Sequence, residues 1–172
     1  MSGADAGDAA AAPVPTPVPT PVPTPIPTPT PHQVSAVRII PAPRQQLFDL
    51  VADPAQHPHI DGSGNVRAQP AGGPERLGLG VRFGMSTRMG LPYRTSNHVV
   101  EFEEGRRVGW AHFSRAVWRW EFRDVDGGTE VTETFDWSGA RSRAFMRRFA
   151  AGNTVAMRRS LERLEQLAAG RA

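Results

Sequence analysis

Neither cysteine nor lysine occurs in this 172-residue chain. Without cysteine there is no disulfide framework, no thiolate nucleophile and no sulfur-liganded zinc site, and the redox compartment cannot be read from cysteine usage. Without lysine no side chain can form a Schiff base, because all 20 basic residues are Arg. No apolar run approaches the ~18 residues of a membrane span, so no stable membrane insertion is expected. The opening MSGADAGDAAAA carries two acids and no Arg, unlike a secretory signal, and a cytoplasmic protein is the expectation.

What the chain does have is proline and arginine in unequal places. From Pro13 to Pro31 every second residue is proline, so ten backbone donors are missing and helix or sheet is excluded there. Residues 1–32 are therefore expected to form a disordered Ala/Pro/Thr-rich tail, with a polyproline II spacer of about 60 Å when extended. Such a tail offers a ligand to a proline-recognition partner, or serves only to solubilise, or precedes the true start. Residues 138–172 hold eight Arg against Glu162 and Glu165. No aromatic stacking surface accompanies this stripe, so it reads as the solvated face of a terminal helix and no nucleic-acid partner is expected.

Residues 33–172 are expected to form one domain. It opens with a strand at VSAVRII (34–40), then a helix in PAPRQQLFDLVAD (41–53), where Leu47, Phe48, Leu50 and Val51 share a face. DPAQHPHIDGSG (53–64) reads as at most one helical turn over 54–57 and then a loop. Six consecutive strands follow: 65–69, 77–87, 92–103, 107–114, 116–125 and 129–137, joined by hairpin-length turns. Alternation puts Ala116, Trp118, Trp120 and Phe122 on one face, and likewise Val81, Phe83 and Met85. By the same rule Trp110 lies with His112, His98 lies with Val100 and Phe102, and Glu133 interrupts an apolar face of Val131, Phe135 and Trp137. The remainder, from residue 138, is a helix of about seven turns. Its apolar stripe contains Met146, Ala150, Met157, Leu161, Leu164 and Ala168, with Asn153 in register.

These faces are all satisfied in an α+β domain whose curved antiparallel sheet wraps the long C-terminal helix, with two short helices after the first strand. VSAVRIIPAPRQQLFDLVADPAQHP, VVEFEEGRRVGW, WRWEFRDVDGGTEVTETFDW and a terminal helix with Asn153, Met157 and Leu161 resemble the START-like, or SRPBCC, superfamily. That superfamily has the helix-grip fold and includes polyketide cyclase/dehydrase-like proteins and the Bet v 1 allergens. The resemblance spans residues 34–169 and implies an internal cavity for a hydrophobic or aromatic small molecule, lipid- or polyketide-like.

The chemistry-bearing residues fall into two groups. HPHIDGSG places His57, His59 and Asp61 in a loop near the cavity entrance. Two His and a carboxylate could ligate zinc or iron, but alternate side chains of an extended HPHID segment need not converge, so neither a metal nor a cofactor is expected. Asp61 before Gly-Ser-Gly reads as the brace of a turn. The inner group is His98, His112 and Glu133 with Asn153, set among Met85, Trp110, Trp118, Trp120, Phe135 and Met157. Apolar walls with a few polar groups suit ligand binding. Burial would raise the pKa of Glu133, so His112 and Glu133, with His98 behind them, are also candidate catalytic groups of a cyclase- or dehydratase-like lyase or isomerase. Binding, catalysis, and partner docking through the tail and the Arg-rich helix face remain three separate readings.

Overall fold

The computed structural model describes residues 31–89, 91–112 and 114–170. The proline tract and nearly all of the expected tail lie outside the described residues. In chain order the elements are β1 (Gln33–Ile40), α1 (Arg44–Ala52), a 3₁₀ turn (Pro54–Gln56), α2 (His57–Ile60), β2 (Val66–Ala68), β3 (Arg82–Met89), β4 (Leu91–Glu103), β5 (Arg107–Ala111), β6 (Val117–Val125), β7 (Gly128–Asp136) and α3 (Arg143–Ala169). All seven strands form one antiparallel sheet in the order β1-β7-β6-β5-β4-β3-β2. The meander from β2 to β7 closes on β1, and the sheet curls as a half-barrel round α3. The α+β helix-grip architecture is therefore the one the alternation demanded.

One end of the half-barrel is packed solid. From α1, Leu47, Phe48, Leu50 and Val51 are all but inaccessible to solvent, and Phe48 meets Phe102 and Phe122 edge-on at 5.7 and 5.6 Å. Met157, Leu161, Leu164 and Ala168 of α3 join this cluster. Burying a Phe or Leu side chain contributes about 2–3 kcal/mol, so this end anchors both helices to the sheet.

On the convex face, Arg119 of β6 donates two hydrogen bonds of 2.6 Å to Glu101 of β4. The strand between them, β5, presents Gly109 at that register, opposite both residues. A Cβ there would press on Glu101 at 3.3 Å, so the missing side chain is what lets the guanidinium reach across.

Three local expectations need correction. Residues 77–80 are not strand: Gly80 has a φ of 81°, and Leu77 instead donates its amide to Ala52 O at 2.7 Å. The connection expected at 88–91 is shorter, because β3 runs to Met89 and β4 starts at Leu91. HPHI is not loop but a helical turn, with Asp53 accepting Ala55 N–H at 2.9 Å to start the 3₁₀ turn and Pro58 in the first turn of α2, where its missing donor costs nothing.

Candidate functional site

The other end of the half-barrel is hollow. A cavity of about 470 Å³ lies between the concave face of β3–β7, the α2 segment and the first half of α3. Its wall includes Met85, Trp110, Trp118, Trp120 and Phe135, with Asn153 reaching in from α3. Phe83 and Met146 add apolar surface. Tyr93 and Phe145 line the cavity and are 42% and 56% exposed, so they stand at its mouth.

Alternation along β7 fixes where Glu133 sits. Val131 belongs to the packed end and Phe135 to the cavity wall, so Glu133 occupies the seam between them. It is 1% exposed. Trp118 on β6 donates its indole N–H to Glu133 Oε1 at 2.6 Å, while Oε2 has no hydrogen-bond partner among the described residues. Burial pushes this carboxyl well above the usual carboxylate range; the Trp118 indole opposes the rise, the Asp61 charge adds to it, and the Ser160 hydroxyl opposes it. Burial thus favours the protonated form, in which Glu133 has a hydrogen to give.

His57, expected at the entrance, is an inner-wall residue. Its ring stacks on Trp110 with centroids 5.1 Å apart and meets Phe83 edge-on at 5.6 Å. Nε2 lies 2.8 Å from Val51 O, and because a carbonyl only accepts, Nε2 carries the proton. Burial lowers the pKa, which keeps the imidazole neutral. His59 is exposed and does not line the cavity. Two residues apart on a helical turn point to nearly opposite sides, so the pair splits. Among the described residues no group of His, Asp and Glu could hold a metal ion. Asp61 lines the cavity at the turn, where it accepts Ser63 N–H at 3.1 Å, Ser63 O–H at 2.7 Å and Val66 N–H at 2.8 Å.

His112 lines the cavity with Nδ1 2.8 Å from Ser114 Oγ, and burial lowers its pKa. His98 does not line it. It pairs in register with Arg82, whereas Asn97 pairs with Phe83 and faces inwards. A register shift between Val99 and Glu101 reverses the parity of β4, which is why Val99 is fully buried and Phe102 also packs on the core. Met157 is likewise displaced from its expected role, since it is fully buried in the packed core and does not line the cavity. Thr95 and Asn97, missed in the sequence, share parity with Val99, and that was the available signal.

The floor of the site is tied to α3 through a close approach. Gly62 N–H donates to Ser160 Oγ at 3.0 Å, and a Cβ on Gly62 would lie 2.1 Å from Ala156 O. Only glycine fits the α2–β2 loop against the helix there.

Comparison with known proteins agrees with this architecture. Over 142 residues the chain is 37% identical to the uncharacterized protein Rv0088 of Mycobacterium tuberculosis, covering 77% of this chain and 63% of that protein. The chain thus spans somewhat less than two thirds of that relative's length. In fold it is similar to protein MLL2253 from Mesorhizobium loti, with a TM-score of 0.61 at 19% identity over 79% of this chain and 96% of that one. It is similar also to the AHSA1-like protein from Aeromonas hydrophila, with a TM-score of 0.56 at 18% identity over 78% and 93%. The family described as polyketide cyclase / dehydrase and lipid transport matches residues 31–169, from the start of β1 to the end of α3, and the chain belongs to that family.

Proposed function

We propose that the domain binds a hydrophobic or aromatic small molecule, lipid- or polyketide-like, in the cavity between the sheet and α3. The observation that carries this reading is the cavity itself: about 470 Å³, with Trp110, Trp118, Trp120 and Phe135 in its wall and a lining surface that is mostly apolar. That size and make-up are typical of small-molecule sites. Three of the four tryptophans line the cavity, so an occupant must alter the intrinsic emission. Titration with a panel of aromatic and aliphatic ligands is expected to shift that emission saturably, and a panel without any response refutes the reading.

A second reading is an enzyme of the cyclase or dehydratase type using the same pocket. It is favoured by one observation, the presence in a single cavity of a buried carboxyl whose pKa is raised, Glu133, and of imidazoles whose pKa burial lowers, His57 and His112. Such a set can give a proton to a carbonyl oxygen and accept one from the neighbouring carbon. In that case Glu133→Gln and His112→Ala abolish turnover while ligand affinity stays within a few-fold.

A further inference from the structure

The cavity's polar groups narrow the chemistry of its occupant. None of the described lining residues is Arg, and the chain has no Lys, so no permanent cation faces the interior. His57 and His112 are neutral by burial. Asp61, the other carboxylate in the lining, is engaged by Ser63 and Val66 in its turn. A ligand carboxylate, sulfonate or phosphate would therefore lose its hydration without gaining a counter-ion, which is costly in an apolar enclosure.

Among the described side chains that line the cavity, Glu133 carries the buried polar atom left without a partner. Trp118 N–H occupies Oε1, so in the protonated form that burial favours the hydrogen resides on Oε2, which is buried and without a partner among the described residues. The Ser160 hydroxyl on α3 faces this carboxyl and works against the rise of its pKa, but its own hydrogen goes to Ala156 O at 3.2 Å and it forms no hydrogen bond to Oε2. A buried donor that no protein group satisfies is expensive unless something else accepts from it. We infer that the cavity selects an uncharged ligand bearing a carbonyl-type acceptor, a ketone, quinone, ester or amide, whose oxygen accepts a hydrogen bond from Glu133 Oε2 while its apolar body packs on the tryptophans. This deepens, and rests on, the small-molecule reading above.

The test uses the full chain and four probes on one skeleton, followed by equilibrium dialysis: 2-acetylnaphthalene, 2-isopropylnaphthalene, naphthalene-2-sulfonate and 1-(2-naphthyl)ethylamine. The acetyl and isopropyl groups have nearly the same shape, so their difference reports the acceptor. The ketone is expected to bind roughly three- to tenfold more tightly than the hydrocarbon, the net worth of one buried hydrogen bond. The sulfonate is expected to bind most weakly.

The ketone's advantage disappears as pH rises through the ionisation of Glu133, and it survives at all pH values in Glu133→Gln, whose amide still donates. Asp61, His57, His112 and Tyr93 are the other titratable groups lining the cavity, and all four are unchanged in that variant, so the difference between the two proteins isolates Glu133. Should the variant not fold, the pH series on the parent chain still decides.

Equal binding of ketone and hydrocarbon overturns the inference but leaves the small-molecule reading standing. Tightest binding by the sulfonate overturns it too. So does tightest binding by the amine with loss of that binding in Glu133→Gln, since Glu133 would then be a counter-ion. If none of the four binds, the inference and the reading beneath it fall together.

Discussion

Replacing Glu133 with glutamine keeps the side chain's size and its acceptor for Trp118 N–H, and removes one proton equilibrium. The effect on stability follows from where that equilibrium lies. In the unfolded chain the carboxyl titrates near its ordinary 4.5, whereas in the fold burial and Asp61 hold it well above that. Between the two values the folded state keeps a proton that the unfolded state has released, so the parent protein loses stability as pH rises. Full stability is present below the unfolded value, and the loss stops once pH passes the folded value. One proton corresponds to a tenfold change in the folding constant, about 1.4 kcal/mol, for each pH unit that separates the unfolded from the folded value. His57 acts in the opposite sense, because its lowered pKa costs stability as pH falls below its ordinary 6.5, but it is present in both proteins and cancels in the difference. Urea denaturation of both proteins at several pH values between 5 and 7 reads the effect directly. The glutamine variant is expected to gain on the parent as pH rises above 5, until the folded carboxyl ionises. A difference that stays constant with pH would mean that the folded carboxyl ionises normally, with water or a cation reaching it, and the account of a neutral donor in the cavity would be wrong.

Two further substitutions test the frame. Gly62→Ala puts a methyl group 2.1 Å from Ala156 O and 2.5 Å from Ser160 N, both backbone atoms of α3 that cannot yield cheaply. A loss of about 3 kcal/mol is expected in denaturant melts, and a near-neutral result would show that the α2–β2 loop parts readily from the helix. Phe48→Ala empties the packed end, with an expected cost of about 4 kcal/mol, yet ligand affinity measured under folding conditions should change little because Phe48 is not in the cavity wall. A tenfold fall in affinity would mean that the two ends of the half-barrel are not separate.

The sheet was legible because a half-buried strand writes its orientation in every second residue. On β6 the alternation of Trp118, Trp120 and Phe122 with arginines and a glutamate left one choice of inner face, and on β7 it exposed Glu133 as a polar residue on an apolar side. Alternation fails where the backbone inserts a residue. On β4 the apolar pair Val100 and Phe102 suggested that His98 points inwards, but the irregularity between Val99 and Glu101 sends Asn97 and Val99 inwards instead. Nothing in a period of two announces such a shift. His57 was misplaced for a related reason: two prolines argued for an extended loop, whereas proline is equally at home in the first turn of a helix. In a helical turn His57 turns inwards to Trp110 while His59 faces solvent.

The position of the cavity was written less in the sheet than along α3. Its apolar stripe is continuous, which identifies the buried face but not how far the sheet's side chains stand from it at each turn. Towards the C-terminus the stripe carries Met157, Leu161 and Leu164, which meet the aromatic rings of α1 and the sheet and close the space. Earlier it carries Ala150, Asn153 and Ala156, too small to reach the sheet, and the hollow follows from that change in size. Met157 was expected in the ligand wall because it shares the stripe, and it lies instead on the packed side of the transition. Glu133 stands at the same transition on the opposite wall, where the interior is dry enough to hold its proton and still open to an occupant. A ligand that accepts from Oε2 stabilises the protonated form further, so by linkage the two losses adjoin: the domain's own stability falls as pH rises from the unfolded value to the folded one, and ligand affinity falls from the folded value upwards, both tracking one proton on one oxygen.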